Sequence, residues 1–123
     1  MAINIMITDD HSMIREGLKN LLELDGDIKV IAEAENGEDC LDKLKTFRPD
    51  VLLLDINMPV LDGWQFLEEY RLLKERIKKE ITIYIISSSD HTTDKDKAKF
   101  YQPEVKDYFL KPMTSDSLKQ IFN

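Results

Sequence analysis

Val51-Leu52-Leu53-Leu54 is an unbroken apolar run that ends in Asp55. Such a run suits a strand buried on both faces of a parallel sheet better than a half-solvated one. Burying an unpaired aspartate is costly, so Asp55 belongs where the strand emerges into a polar crevice. Pro59 supports the boundary from the other side, because it lacks a ladder donor and biases Met58 away from helix. An acid at the carboxyl end of a central parallel strand lies where open α/β sheets bind their ligands. A helix-capping or loop aspartate explains this stretch equally well on its own, so the assignment turns on the rest of the chain.

The rest of the chain repeats the pattern. Residues 3–8 read as a first strand that also ends in acid, at Asp9-Asp10. From His11 a helical period takes over, with Ile14, Leu18, Leu21 and Leu22 on one face and a stop at Asp25-Gly26. A short strand follows over residues 28–32, and Asn36 can cap a helix carrying Cys40, Leu41, Leu44 and Phe47, closed by Arg48-Pro49. After Pro59, Leu61-Asp62-Gly63 makes a turn, and Asp62 caps a long helix bearing Phe66, Leu67, Tyr70, Leu73 and Ile77. The mixed charges of residues 74–80 read as its solvated end. Residues 81–86 are strongly β-prone and run into Ser87, Ser88 and Ser89. The charged segment 92–101 has few apolar residues beyond Ala98, Phe100 and Tyr101, which predicts a mobile helix. Residues 105–110 form the last strand, before Lys111-Pro112. Thr114 or Ser115 then caps a final helix with Leu118, Ile121 and Phe122 facing inward.

Strands alternating with helices five times predict an α/β fold, a doubly wound five-stranded parallel sheet with helices on both faces. Right-handed crossovers then bring every strand's carboxyl end to one edge. That edge collects Asp9, Asp10, Asp55, Ser87 and Lys111 from four strands. A capping acid, a turn serine or a surface lysine is ordinary alone; all of them falling at the same kind of strand end is much harder to obtain by chance.

The 123 residues predict a single domain with no room for an effector domain. With 24 acids against 17 bases the net charge is −7, which argues against direct nucleic-acid binding and favours basic-rimmed proteins or cations as partners. The one cysteine, Cys40, cannot form an internal disulfide, and no signal peptide or apolar run of spanning length is present. Cytoplasmic residence, no membrane contact and a buried, reduced thiol are the expectations. His11 and His91 read as polar loop or helix-start residues rather than metal ligands.

Clustered carboxylates repel and raise one another's pKa unless a cation sits among them. Oxygen donors without thiolate or histidine clusters point to a hard metal, Mg²⁺ before Zn²⁺. With such a metal in place, one carboxylate can act as nucleophile toward a phosphoryl group and form an aspartyl phosphate. Mg²⁺, Lys111 and the Ser87 hydroxyl can each neutralise or bond one equatorial oxygen.

At these residues the chain resembles a receiver domain of a two-component response regulator, of the stand-alone CheY-like kind. The resemblance rests on Asp9-Asp10 after the first strand, Asp55 followed by Asn57-Met58-Pro59 and Asp62-Gly63, Ser87 after the fourth strand, and Lys111-Pro112 after the fifth. It implies a flavodoxin-like fold with strand order 2-1-3-4-5 and five helices. It further implies Asp55 as phosphoacceptor, with Asp10, Asp55 and the Asn57 backbone carbonyl as Mg²⁺ ligands and Asp9 acting through water. The implied phosphoryl donor is a sensor histidine kinase or histidine phosphotransfer protein, and the output is a changed protein-binding surface on a monomer or a phosphorylation-dependent dimer. Such a chain catalyses its own Mg²⁺-dependent phosphorylation and slow dephosphorylation, and is not an enzyme with an external substrate. Ser87 would move toward the acyl phosphate and leave space for Tyr108 to turn inward. A cis peptide before Pro112 is also implied.

Some positions depart from the pattern. Ser88 stands where relatives often have alanine, and Asn57 and Ser89 occupy positions that tune phosphoryl lifetime in the family. The stretch from Ser87 to Lys111 is slightly long. Up to Pro59 the chain resembles receivers that precede helix-turn-helix effectors, and from Leu61 stand-alone receivers, as a recombined or engineered chimera would. A phosphatase of the haloacid dehalogenase type needs a second aspartate where this chain has Asn57, and a flavodoxin-type module needs a phosphate-cradling loop where it has Asp9-Asp10. A receiver-like scaffold without signalling activity is the remaining alternative.

Overall fold

The computed structural model describes residues 3–24, 26–88, 91–111 and 113–122. Their elements run β1 (Ile3–Thr8), α1 (Ser12–Leu22), β2 (Ile28–Ala34), α2 (Gly37–Leu44), β3 (Val51–Asp55), α3 (Gly63–Ile77), β4 (Thr82–Ser87), α4 (Thr92–Lys99), β5 (Val105–Leu110) and α5 (Ser115–Phe122). All paired strands are parallel and the order is β2-β1-β3-β4-β5, as expected.

The apolar run at β3 is buried on both faces. Leu52 and Leu54 point into a cluster with Met6, Ile83 and Ile85 that takes Cys40 and Leu44 from α2 and Phe66, Leu67 and Tyr70 from α3. Val51 and Leu53 point the other way, into a cluster with Ile5, Ile7 and Ile86 that takes Leu18 and Leu22 from α1 and Leu118 from α5. The period of two in the strand therefore serves two cores.

Capping follows the sequence at α2 and α3. Asn36 Oδ1 accepts the Asp39 N–H at 2.8 Å. Asp62 and Gln65 exchange side-chain-to-backbone bonds in a capping box, at 2.9 and 3.0 Å. At the start of α5, Thr114 Oγ1 accepts the Ser117 N–H at 3.2 Å.

Three elements differ from expectation. β2 continues to Ala34 because the Asp9 N–H donates to Ala34 O at 3.0 Å and Glu33 gains an ion pair with Arg15 at 3.1 Å. α2 stops at Leu44, where the Lys45 and Thr46 amides bond back three residues; this tightened turn leaves Phe47 38% exposed rather than on the buried face. α4 ends at Lys99, with Ala98 its one buried side chain, and Tyr101 in the following turn is buried while Phe100 is exposed. Asp25, Ser89 and Pro112, with the peptide before Pro112, lie outside the described residues.

The loop from β3 to α3 is held tightly. Val60 has φ 69° between Pro59 O and the Leu61 N–H, which bond at 2.8 Å, the pattern of a three-residue γ-turn. Leu61 O then accepts the Gly37 N–H at 2.9 Å. Gly63 donates to Ile56 O at 3.1 Å, and a Cβ at Gly63 would come within 2.6 Å of the Ile56 Cα, so α3 starts directly against the end of β3.

Candidate functional site

Protein interiors seldom hold unpaired polar groups, so the buried ones mark where something has to be satisfied. Among the described residues the buried polar side chains are Thr8, Asp9, Asp55 and Ser87, all at or just after the carboxyl ends of β1, β3 and β4. Parallel topology has carried them to one edge, as the alternation of elements predicts.

Asp55 ends β3 with 3% of its surface exposed. Its Oδ1 accepts the Asn57 N–H at 3.3 Å, and its Oδ2 lies 3.5 Å from Lys111 Nζ. Lys111 Nζ also donates to Asp9 Oδ2 at 2.6 Å, so one ammonium stands between two carboxylates. Its own backbone N–H donates to Ser87 O at 2.8 Å, which continues the β4–β5 pairing to the site. Asp9 Oδ1 accepts the His11 N–H at 2.9 Å, and the Asp9 carbonyl accepts from Arg15 Nη1 at 2.6 Å. Asp10 is partly exposed, and its buried Oδ1 has His11 Nδ1 as a neighbour at 3.0 Å.

Burial pushes the Asp55 carboxyl up to about 6; Lys111 works against the rise, and Asp9 and Asp10 add to it. The repulsion expected among the acids contributes, and desolvation is the larger cause because Asp55 is buried with Lys111 already beside it. Burial likewise pushes the Cys40 thiol up to about 12, in keeping with the buried, reduced cysteine expected.

Asn57 is exposed, with its backbone N–H turned to Asp55. Ser87 is fully buried. Tyr108 is half-buried against the α2–α3 core cluster. Ile85 pairs with Tyr108 and Ser87 with Leu110, which puts Ser87 and Tyr108 on one face of the sheet, a residue pair apart. Tyr108 also lines a cavity of about 270 Å³ with Lys95 and Ala98 of α4.

Sequence reasoning missed two neighbours of the acids. Arg15 links the Asp9 carbonyl to Glu33, and a charged residue directly after the strand read over residues 28–32 was the available signal. His11 is the N-cap residue of α1, as its helix-start reading had it, but its Nδ1 lies 3.0 Å from Asp10 Oδ1. The adjacency Asp9-Asp10-His11 was the signal there.

The family pattern described as the response regulator receiver domain matches residues 5–123. The chain belongs to the response regulator receiver family. It is 35% identical over 116 residues to the transcriptional regulatory protein LnrK of Bacillus subtilis, covering 94% of this chain and 50% of LnrK. It is 30% identical over 116 residues to the transcriptional regulatory protein DegU of Brevibacillus brevis, covering 94% of this chain and 47% of DegU. This receiver chain thus spans about half the length of these curated relatives. Among solved structures, the signal receiver domain of NarL from Mycobacterium tuberculosis superposes with a TM-score of 0.85 at 29% identity, covering 98% of this chain and 94% of that one. The fold is the CheY-like, flavodoxin-like one. Receivers generally hold Mg²⁺ at the acidic pocket, and the neighbouring carboxylates of Asp9 and Asp10 supply the oxygen donors that such an ion takes. No helix among the described residues is long and apolar enough to cross a membrane.

Proposed function

We propose that residues 1–123 act as a phosphorylatable switch, taking a phosphoryl group onto Asp55 from a sensor histidine kinase or a histidine phosphotransfer protein. The supporting observation is the arrangement around one buried carboxylate: Asp55 at the end of the central strand, Lys111 at 3.5 Å, and the pair Asp9-Asp10 beside them.

An Asp55 oxygen attacks phosphorus, the new O–P bond forms as the bond to the donor's imidazole breaks, and that ring leaves with the electron pair and takes a proton. At neutral pH Asp55, with its pKa near 6, is largely the carboxylate the attack needs. Asp10, Asp55 and the Asn57 carbonyl would hold Mg²⁺, with Asp9 through water, and the ion would neutralise charge on the transferring group. Lys111 turns from Asp9 toward a second phosphoryl oxygen, and the Ser87 hydroxyl bonds a third. The shift of Ser87 frees space for Tyr108 to turn inward, which reshapes the surface where Tyr108 meets α4.

The reading makes this domain an acceptor that is switched, without turnover of an external substrate. Its output is contact with a downstream protein, as a monomer or a phosphorylation-dependent dimer in the cytoplasm. The net charge of −7 assigns nucleic-acid contact, if the whole protein makes any, to other residues than these.

Intact-mass measurement after incubation with acetyl phosphate and Mg²⁺, beside Asp55→Asn, tests the proposal. One phosphoryl adduct that requires Mg²⁺ and is absent from the variant is the expected outcome. A folded wild-type chain that stays unmodified would instead be a receiver-like scaffold without signalling activity.

A further inference from the structure

The loop that carries Asp9 and Asp10 is tied down by a residue outside it. Arg15 ends the first turn of α1, where its N–H donates to His11 O at 3.1 Å. Helical side chains lean toward the N-terminus of their helix, so its guanidinium comes back over the β1–α1 loop. There Nη1 donates to the Asp9 carbonyl at 2.6 Å, and Nε donates to Glu33 Oε1 at 3.1 Å. Glu33 belongs to β2, so one planar cation spans from that strand to the loop that follows β1. Only 17% of the Arg15 side chain is exposed.

These bonds complete the hold on Asp9. Its N–H donates to Ala34 O at 3.0 Å, its Oδ1 accepts the His11 N–H at 2.9 Å, and its Oδ2 accepts from Lys111 at 2.6 Å. The carbonyl is the remaining polar atom, and Arg15 takes it. That carbonyl shares a planar peptide unit with the N–H of Asp10. Turning the unit would swing one carboxylate relative to the other, so a bond that fixes the plane also fixes how the two acids face the pocket. The bond is charge-assisted and stronger than one from a neutral donor. It is made to backbone rather than carboxylate, so it does not depend on where Lys111 points.

We propose that Arg15 is a positioning residue of the acidic pocket: by bonding the Asp9 carbonyl, with Glu33 as its anchor on β2, it holds Asp9 and Asp10 in the arrangement that receives the cation. The inference rests on the reading that these acids hold Mg²⁺. Arg15 touches neither the ion nor the phosphoryl group in this role, and acts only through the loop.

The test is calorimetric titration of the full chain with Mg²⁺, comparing wild type with Arg15→Gln and Arg15→Lys, each checked for folding by circular dichroism and urea unfolding. Coulomb's law makes the sign decisive. Removing a positive charge beside the pocket would by itself tighten Mg²⁺ binding. The positioning role expects the opposite, a loss of about tenfold or more in Arg15→Gln. Arg15→Lys keeps the charge but not the fork and should lose affinity as well, which carries the test if Arg15→Gln does not fold. In metal-free protein the Asp10 amide nitrogen resonance should move upfield in both variants, because the carbonyl of its peptide has lost its charged donor. Mg²⁺ affinity that is unchanged or tighter in the folded variants, while wild type binds the ion, would overturn the positioning role and leave Arg15 a tie between α1 and β2, visible only as a lower urea midpoint. A folded wild type that binds no Mg²⁺ would overturn the cation reading itself, and the inference with it.

Discussion

A carboxylate buried at the end of a central strand weakens the fold that holds it. The Asp55 pKa is about 6 in the folded chain against an ordinary 3.8, so between those values the native state binds more protons than the unfolded one. Stability therefore falls as pH rises through that interval, and the full penalty is present above it. A displacement of about two pH units corresponds to roughly 3 kcal/mol, taken as an upper figure. Asp55→Asn removes the charge and keeps the shape. In metal-free buffer the variant should need more urea to unfold than wild type at pH 7.5, with the gain shrinking toward pH 4. Equal midpoints at pH 7.5 would show that Lys111 offsets the burial of Asp55. At this scale the sequence was readable for Asp9, Asp10, Asp55, Ser87 and Lys111, because each terminates or follows a strand. It was not readable for His11, since a residue two positions from Asp9 can face the pocket or solvent according to the first turn of α1.

α4 has little of its own to hold it. Ala98 is its one buried side chain, and His91 at its N-cap makes no side-chain capping bond. What secures it comes from α3 and the turn that follows α4. Trp64 stacks on Tyr101 with ring centroids 5.8 Å apart, Lys97 lies over Trp64, and Arg71 lies over Tyr101 while donating to Phe100 O at 2.7 Å. The Tyr101 hydroxyl donates to Glu68 at 2.8 Å. An aromatic pair of this kind contributes about 0.5–1.5 kcal/mol beyond its buried area. Tyr101→Ala should therefore speed amide exchange across residues 92–99 at least tenfold, a loss of about 1.4 kcal/mol in local stability, while β1 and β3 stay protected. Exchange that rises equally in all elements would mean that α4 is no separate unit. Periodicity alone marked this segment as weakly amphipathic, and its fastening was hidden because Trp64 and Tyr101 sit on different elements.

For the molecule as a whole, one sheet separates two cores, and neighbouring residues of β3 serve opposite sides. Leu54 is fully buried among α2 and α3 residues and Leu53 among α1 and α5 residues. Leu53→Ala and Leu54→Ala should each cost about 2–5 kcal/mol and lower the same single unfolding transition. Two separate transitions in either variant would show that the faces unfold independently. The order of elements, the parallel sheet, the two-sided burial of β3 and the edge that collects the acids were all determined by the sequence alone. They follow from hydrophobic period, capping residues and crossover handedness, which are local or nearly so. Only the tertiary structure decided that Lys111 bridges Asp9 and Asp55, that the His11 ring meets Asp10, that Phe47 turns outward and that Trp64 meets Tyr101. Those outcomes depend on where side chains meet across long stretches of chain, 102 positions in the case of Lys111 and Asp9. Close packing selects one set of rotamers from many that the local pattern permits equally.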